Sequence, residues 1–266
     1  MKQKITMIRH AESMSNIDSS YVAEEASQIP LSPNGILQAQ ALADNWKYDM
    51  PSRVITSSYK RAIQTSFPLQ LKFPFAKRSH AFVQEWTFLS PRKFAGSNRN
   101  SRSSYVRDFI ERNDIHYSDG DGAESLCGLR CRVAAMFTYL ETKDYKHIVI
   151  LSHRLFMSAV REYLSGNYAK DVKEFFKADR ANPIDNTGVL EFEVTRCHRT
   201  KEAYIAEVDR VLNTTIAVDL TMTADQAIDE ICKSDIMDER FNVLTNFNTT
   251  KVGGTFEGLF NRTDGK

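Results

Sequence analysis

Two histidines each close a short apolar run: His10 follows Ile5-Thr6-Met7-Ile8-Arg9, and His153 follows Ile148-Val149-Ile150-Leu151-Ser152. Runs of this length, bounded abruptly by polar residues, predict buried strands that deliver polar groups at their C-terminal ends, where open α/β sheets place their chemistry. A third run, residues 53–56, ends in Ser57 and Ser58, with Arg61 one helical turn beyond. Three separate elements thus direct two histidines and two arginines, Arg9 and Arg61, to one sheet edge. That set suits phosphoryl transfer. A phosphomonoester at neutral pH is doubly charged, so its transfer needs fixed cations around the equatorial oxygens, a nucleophile in line and an acid for the leaving oxygen. A neutral imidazole attacks through one ring nitrogen while the other donates to a carbonyl, and neighbouring guanidinium groups favour the neutral ring. Planar arginine forks clamp phosphate directly, so the site is expected to need no metal or other cofactor.

The elements that must carry these groups are legible nearby. Ser32 and Pro33 provide a cap and a first helical residue, and Ile36, Leu37, Ala39, Ala41, Leu42 and Trp46 continue at helical spacing. A helix carrying Arg61, Ala62, Gln64 and Thr65 should follow the 53–56 strand, and residues 75–83 hold a short strand. Residues 123–141 form an amphipathic helix through Leu126, Leu129, Val133, Met136, Phe137 and Leu140. A further helix near 155–164 and an alternating strand at 188–194 complete a pattern of strands separated by helices. This pattern predicts a three-layer α/β/α sandwich with a mainly parallel sheet. Residues 86–121, rich in Arg, Ser, Asn, Asp and Gly, form a loop-like cap with one helical piece near 105–112. Residues 1–200 make the catalytic domain, and 201–266 an extension with one candidate helix at 223–239.

Composition narrows the partners. The 266 residues are 42% hydrophobic and carry a formal net charge of +1, enough to build a full core and too balanced for a nucleic-acid-binding surface overall. No apolar run approaches the roughly 20 residues of a membrane helix, and the N-terminus lacks a secretory apolar core. A cytoplasmic protein with no membrane association and a small phosphorylated substrate or a phosphoprotein as partner is expected, with a homo-oligomer left open. The four cysteines have no disulfide-framework spacing. Cys127 and Cys131 lie four apart on the predicted helix, more in the manner of buried thiols than of metal ligands.

Arg9-His10-Ala11-Glu12-Ser13 followed by Asn16 resembles the RHGE…N signature of the histidine phosphatase (phosphoglycerate-mutase-like) superfamily. Leu31-Ser32-Pro33-Asn34-Gly35 with Gln38 and Ala39 is similar to the family's LTPxGxxQA segment, and residues 57–65 to its SSxxxRAxQT segment. Gly122-Ala123-Glu124-Ser125 with Arg132-Val133 resembles its GES…RV helix, and Ser152-His153 its second-histidine motif. The motifs run in family order from residue 4 to about 195. The resemblance implies that His10 is the phosphorylated nucleophile, that Arg9, Arg61 and His153 form the phosphate pocket with Asn16 as a further contact, and that Glu85 is the proton donor. Ser57, at the head of its segment, joins the substrate-binding set.

Two positions depart from the family pattern. Ala11 and Arg154 stand where glycine usually follows each catalytic histidine. Arg154 either reaches a second phosphate of the substrate or turns outward. The tract that phosphoglycerate mutases carry after the acidic residue, ERxYGxLxG, is absent from residues 85–90, which favours hydrolysis over a mutase-type phosphotransfer. A catalytically weak phospholigand-binding protein on the same fold is the rival from another class. In the cap, Arg92, Lys93, Arg99, Arg102, Arg107 and Arg112 face only Asp108 and Glu111 between residues 92 and 112. These cations either attract a polyanionic substrate or form a solvated loop. His80, His116, His147 and His198 belong to no motif and are expected to be structural.

Overall fold

The computed structural model describes residues 2–195. In chain order the elements are β1 (Lys2–Arg9), α1 (Met14–Ile17), a 3-10 turn (Ala26–Gln28), α2 (Pro33–Asp44), β2 (Arg53–Thr56), α3 (Lys60–Lys72) and β3 (Lys77–His80). There follow α4 (Pro91–Phe94), α5 (Ser103–Arg112), α6 (Leu126–Glu141), β4 (His147–Ser152), α7 (Arg154–Ser165), α8 (Val172–Ala181) and β5 (Val189–Thr195). The candidate helix at 223–239 and the rest of the expected extension lie outside the described residues.

The strands form one five-stranded sheet in the order β3-β2-β4-β1-β5. β1, β2, β3 and β4 are parallel, and β5 returns antiparallel along β1 with Ile5 opposite Phe192. The mainly parallel sandwich expected from the strand–helix alternation is therefore the fold observed. Side-chain alternation divides the core in two, as strand geometry requires. Ile8, Val54, Val149 and Leu151 pack with Ala43, Ala62 and Leu69 of α2 and α3. Ile5, Met7, Ile55, Ile148 and Ile150 face the other way, onto α6, α7 and α8. All six residues of β4 are buried, as a central strand covered on both faces should be.

Local chemistry sets the helix starts. Ser32 accepts from the Gly35 amide at 2.9 Å with Pro33 in the first turn of α2. The α6 helix begins at Leu126, later than residue 123, because Gly120 and Gly122 take positive φ in the preceding turn and Ser125 caps the Gly128 amide. Asp171 caps α8, an element the periodicity reading did not separate from its surroundings. Gly35 has a packing reason: a Cβ there would lie 1.9 Å from the Glu12 carbonyl oxygen. That close approach ties the start of α2 to the loop following His10, where the Ser32 amide and hydroxyl both bond Glu12.

Candidate active site

Parallel pairing of β1 with β4 places Arg9 opposite Ser152, so His10 and His153 leave adjacent strands side by side. Their ring centroids are 5.1 Å apart. Both side chains are buried, and so is Arg61. His10 Nδ1 lies 2.7 Å from the Ala11 carbonyl oxygen, and Arg61 Nε donates to His10 Nε2 at 3.2 Å. A carbonyl accepts only from an N–H, so Nδ1 carries the proton and Nε2 keeps its lone pair. Burial first, then the positive charges of Arg61 and Arg9, hold the His10 pKa well below the ordinary imidazole value, so the ring is neutral.

Several side chains fix the loop that bears this ring. Thr65 Oγ1 accepts from the Ala11 amide at 3.0 Å, Gln64 Oε1 from the Leu31 amide, and Gln38 Oε1 from the Glu12 amide. The glutamine–threonine pair after Arg61 thus anchors the neighbours of His10. Ala11 causes no strain. It is absent from the residues with positive φ, and it is buried with Leu31 and Ala39 in a small apolar cluster. Asn186 donates to the His10 carbonyl at 3.0 Å, and Thr187, at φ 58°, donates its amide to the Arg9 carbonyl. Sequence reasoning missed these two. The Asp185-Asn186-Thr187-Gly188 run carried a turn signal, with nothing in it to show that the turn braces His10.

The cations around His10 are held without a carboxylate partner among the described residues. Arg61 donates Nη1 to the Ala26 carbonyl and lies 4.8 Å from the Tyr59 ring centroid. Arg9 donates Nη1 to the Ile184 carbonyl, while its Nε is buried with no hydrogen-bond partner. His153 Nε2 is 2.8 Å from Ser57 Oγ, and its Nδ1 is likewise buried without a partner. The His153 pKa is well below the ordinary value through burial, then Arg61 and His10. Asn16 Oδ1 accepts from the Ser13 amide and hydroxyl at 2.9 Å, which fixes the amide group and leaves its nitrogen unbonded among the described residues. Ser57 is buried against His153, so the structure gives it contact with the second histidine rather than with open pocket.

Glu85 reaches the same place from the segment after β3. Its Oε1 accepts from its neighbour Trp86 and from the Leu155 and Phe156 amides at 3.0, 3.1 and 3.2 Å, at the N-terminus of α7. Burial raises its pKa, opposed by those amides and by Arg61 and Arg9. Behind it, Arg132 grips Glu124 through two bonds of 2.8 and 2.6 Å and donates Nη1 to the Phe82 and Gln84 carbonyls. The residues of the GES…RV motif therefore hold the backbone that presents Glu85.

Arg154 turns toward α8. Its Nε and Nη2 bind the carboxylate of Asp179 on α8, a side chain with no exposed surface that also accepts from Ser158 Oγ at 2.7 Å. The partner of this guanidinium is a buried carboxylate one helix away, a clamp between α7 and α8 that engages Nε and Nη2. Two of the six cap cations have carboxylate partners. Lys93 pairs with Asp119 at 2.6 Å and Arg92 with Asp121 at 3.7 Å, while Arg102 and Arg112 stack on Phe94 and Tyr117. Across 86–121 the count is six basic to five acidic residues, because Asp114, Asp119 and Asp121 follow the basic stretch.

The remaining motif-free groups are accounted for locally. His147 lies 2.8 Å from Thr6 Oγ1 and 2.9 Å from the Asp49 carbonyl, His80 lies 2.8 Å from Thr56 Oγ1, and His198 is outside the described residues. Cys127 and Cys131 are buried free thiols that hydrogen-bond each other, with His116 also bonded to Cys127. No helix among the described residues is long and apolar enough to cross a membrane.

A sequence profile of the histidine phosphatase superfamily, branch 1, matches residues 5–206, and the chain belongs to that family. No curated protein sequence gives a significant match. Among solved structures, a mycobacterial glucosyl-3-phosphoglycerate phosphatase is 17% identical, covers 73% of this chain and 91% of its own, and superposes with a TM-score of 0.55. A phosphoserine phosphatase from Entamoeba histolytica, in complex with 3-phosphoglyceric acid, is 21% identical over 71% of this chain and 90% of its own at a TM-score of 0.54. The alpha-ribazole phosphatase of Shigella flexneri is 19% identical over 82% and 100%, at 0.56. At these identities the likeness is one of fold.

Proposed function

We propose that the protein is a phosphomonoesterase that works through a phosphohistidine on His10. The observation that carries this reading is the surround of His10 Nε2: a neutral ring whose Nε2 lone pair accepts from Arg61 Nε, a donor that a phosphate oxygen can take over, with Arg9 Nε and His153 Nδ1 buried and unbonded on the neighbouring side chains. Buried donors without partners cost on the order of 1–3 kcal/mol each, and phosphate oxygens would satisfy them. Ser57 Oγ accepts from the Tyr59 amide at 3.2 Å, so its own hydrogen is free for His153 Nε2. That assignment puts the His153 proton on Nδ1, where it can donate to phosphate.

In the proposed cycle, Nε2 of His10 attacks phosphorus, Arg9, Arg61, His153 and Asn16 hold the equatorial oxygens, and protonated Glu85 gives its proton to the leaving oxygen. Glu85 then takes a proton from the water that attacks the phosphohistidine, and the products are the alcohol and inorganic phosphate. Ser57 positions His153. The substrate is a small phosphomonoester or a phosphoprotein. The phosphatases that share the fold support hydrolysis over mutase-type transfer, and the unstrained Ala11 removes one motive for a catalytically weak binding protein.

The test is phosphate release from a panel of phosphomonoesters in the presence of a metal chelator, with wild type and His10→Ala side by side. Chelator-resistant release that vanishes in the variant is expected. Tight phospholigand binding with no release over hours would favour the binding protein, and equal release from both proteins would mean another nucleophile.

A further inference from the structure

Two thiols on α6 take no part in the proposed cycle. Cys127 and Cys131 lie four apart, so they share one face of the helix. Both are buried and they hydrogen-bond each other. His116, half-buried in the segment before α6, bonds to Cys127, and the Cys127 amide donates to the Ile115 carbonyl at 2.9 Å. Cys127 also stands in the first turn of α6, where the aligned N–H groups favour negative charge. The bond from Cys131, then His116 and Arg130, lower the Cys127 thiol against the opposing effect of burial, while the same shared bond and burial raise Cys131. Two inert thiols in an apolar core would both be raised. Here one sulfur is disposed to be a thiolate beside a second that keeps its proton, the arrangement that dithiol oxidation uses. Among the described residues no three His, Cys, Asp or Glu side chains are grouped so that they could hold a metal ion.

We propose that Cys127 and Cys131 form a redox site for hydrogen peroxide, closed as a disulfide within α6. The Cys127 thiolate attacks one peroxide oxygen and breaks the O–O bond. The departing hydroxide takes a proton and leaves as water, and Cys127 becomes a sulfenic acid. The Cys131 sulfur then attacks that of Cys127, gives up its proton and expels the sulfenic oxygen as a second water. Two thiols are oxidised to one disulfide, and one peroxide is reduced to two waters.

The bond would strain the helix that supports Glu85. Side chains four apart on a helix have Cβ atoms about 5–6 Å apart, whereas a disulfide holds them at about 3.5–4.5 Å, so the turn 127–131 must tighten. That turn packs on Glu124, since a Cβ on Gly128 would lie 3.1 Å from Glu124 Cγ. Arg132, the next residue, grips Glu124 and holds the Phe82 and Gln84 carbonyls. Oxidation therefore loosens the backbone before Glu85, and on the proposed role of that carboxyl it slows turnover.

The experiment treats the full chain with hydrogen peroxide at neutral pH, blocks the remaining thiols and maps tryptic peptides by mass spectrometry with and without dithiothreitol. Cleavage after Arg130 separates the two cysteines, so the expected product is peptide 113–130 joined to the dipeptide of Cys131 and Arg132, released by dithiothreitol. In Cys131→Ser, which lacks the second thiol, dimedone should capture a sulfenic acid on Cys127; the wild-type map decides by itself if that variant fails to fold. Amide hydrogen exchange in residues 82–85 should rise at least about threefold when the wild type is oxidised, and stay unchanged in Cys127→Ser. Thiols at 127 and 131 that survive excess peroxide overturn the proposal, as does a disulfide from either to Cys197, Cys232 or a second chain. A 127–131 disulfide with unchanged exchange at 82–85 overturns the link to Glu85. The thiol map and the exchange need no substrate, so their outcome is separate from that of the phosphate-release test.

Discussion

The pocket holds two cations beside His10 and the cap holds six, and only in the cap are any of them paired with carboxylates. Arg9 and Arg61 sit beside His10 with backbone carbonyls and an aromatic ring as partners. In the cap, Lys93 and Arg92 meet carboxylates and Arg102 and Arg112 cover aromatic faces. A guanidinium bonded only to neutral groups keeps its field available to an anion, whereas one paired with a carboxylate has much of it cancelled. The difference teaches that basic residues counted along a stretch say little about where an anion goes. What matters is which of them lack a negative partner after folding.

The sharpest break between the two regions should appear in activity. His10→Ala removes the proposed nucleophile and should lower phosphate release at least ~10³-fold, with binding of inorganic phosphate, followed by calorimetry, largely retained. Glu85→Gln should cost ~10²–10⁴-fold in kcat for esters with poor leaving groups. Its pH profile is the more telling readout. The proposed cycle requires neutral His10, whose lowered pKa moves the acid limb to lower pH, and protonated Glu85, whose raised pKa sets a limb on which activity falls as pH rises. The glutamine variant should lose that falling limb and keep the acid one.

Smaller effects probe the supports. Arg132→Met leaves Glu124 buried without its bidentate partner and should destabilise the fold by ~3–5 kcal/mol, measured by urea unfolding, with a fall in kcat as Gln84 and Glu85 loosen. Smallest of all, Arg92→Ala with Arg107→Ala in the cap should change KM by less than about twofold at physiological salt. A larger, salt-sensitive rise would return the cap to a role in anion capture and erase the contrast drawn above.

Much of this arrangement was legible before folding, for physical reasons that differ by element. Strand runs such as 147–152 are fully buried, so their composition alone announces them, and the parallel sheet follows from the helices between them. His10, Arg61, His153 and Glu85 were recoverable because each stands at a strand end or in a motif whose neighbours have identifiable jobs, as Gly35, Gln64, Thr65 and Arg132 now show. What stayed hidden depended on partners distant in sequence. Arg154 follows His153, and only the packing of α7 on α8 shows that Asp179 holds it. Asn186 braces the His10 carbonyl across a separation of 176 residues, which no local spacing encodes. Lys93 and Arg92 looked unpaired because Asp119 and Asp121 lie beyond the basic stretch.

The most direct test of the account is to trap the intermediate. Wild-type protein turning over a phosphomonoester labelled in its phosphoryl group should be quenched in alkali and digested, and the labelled peptide sequenced. An alkali-stable, acid-labile phosphoryl group on His10 is expected, absent from His10→Ala and accumulating in Glu85→Gln with an activated ester. Label on any other residue, or turnover with no label on His10 under rapid quench, would contradict it.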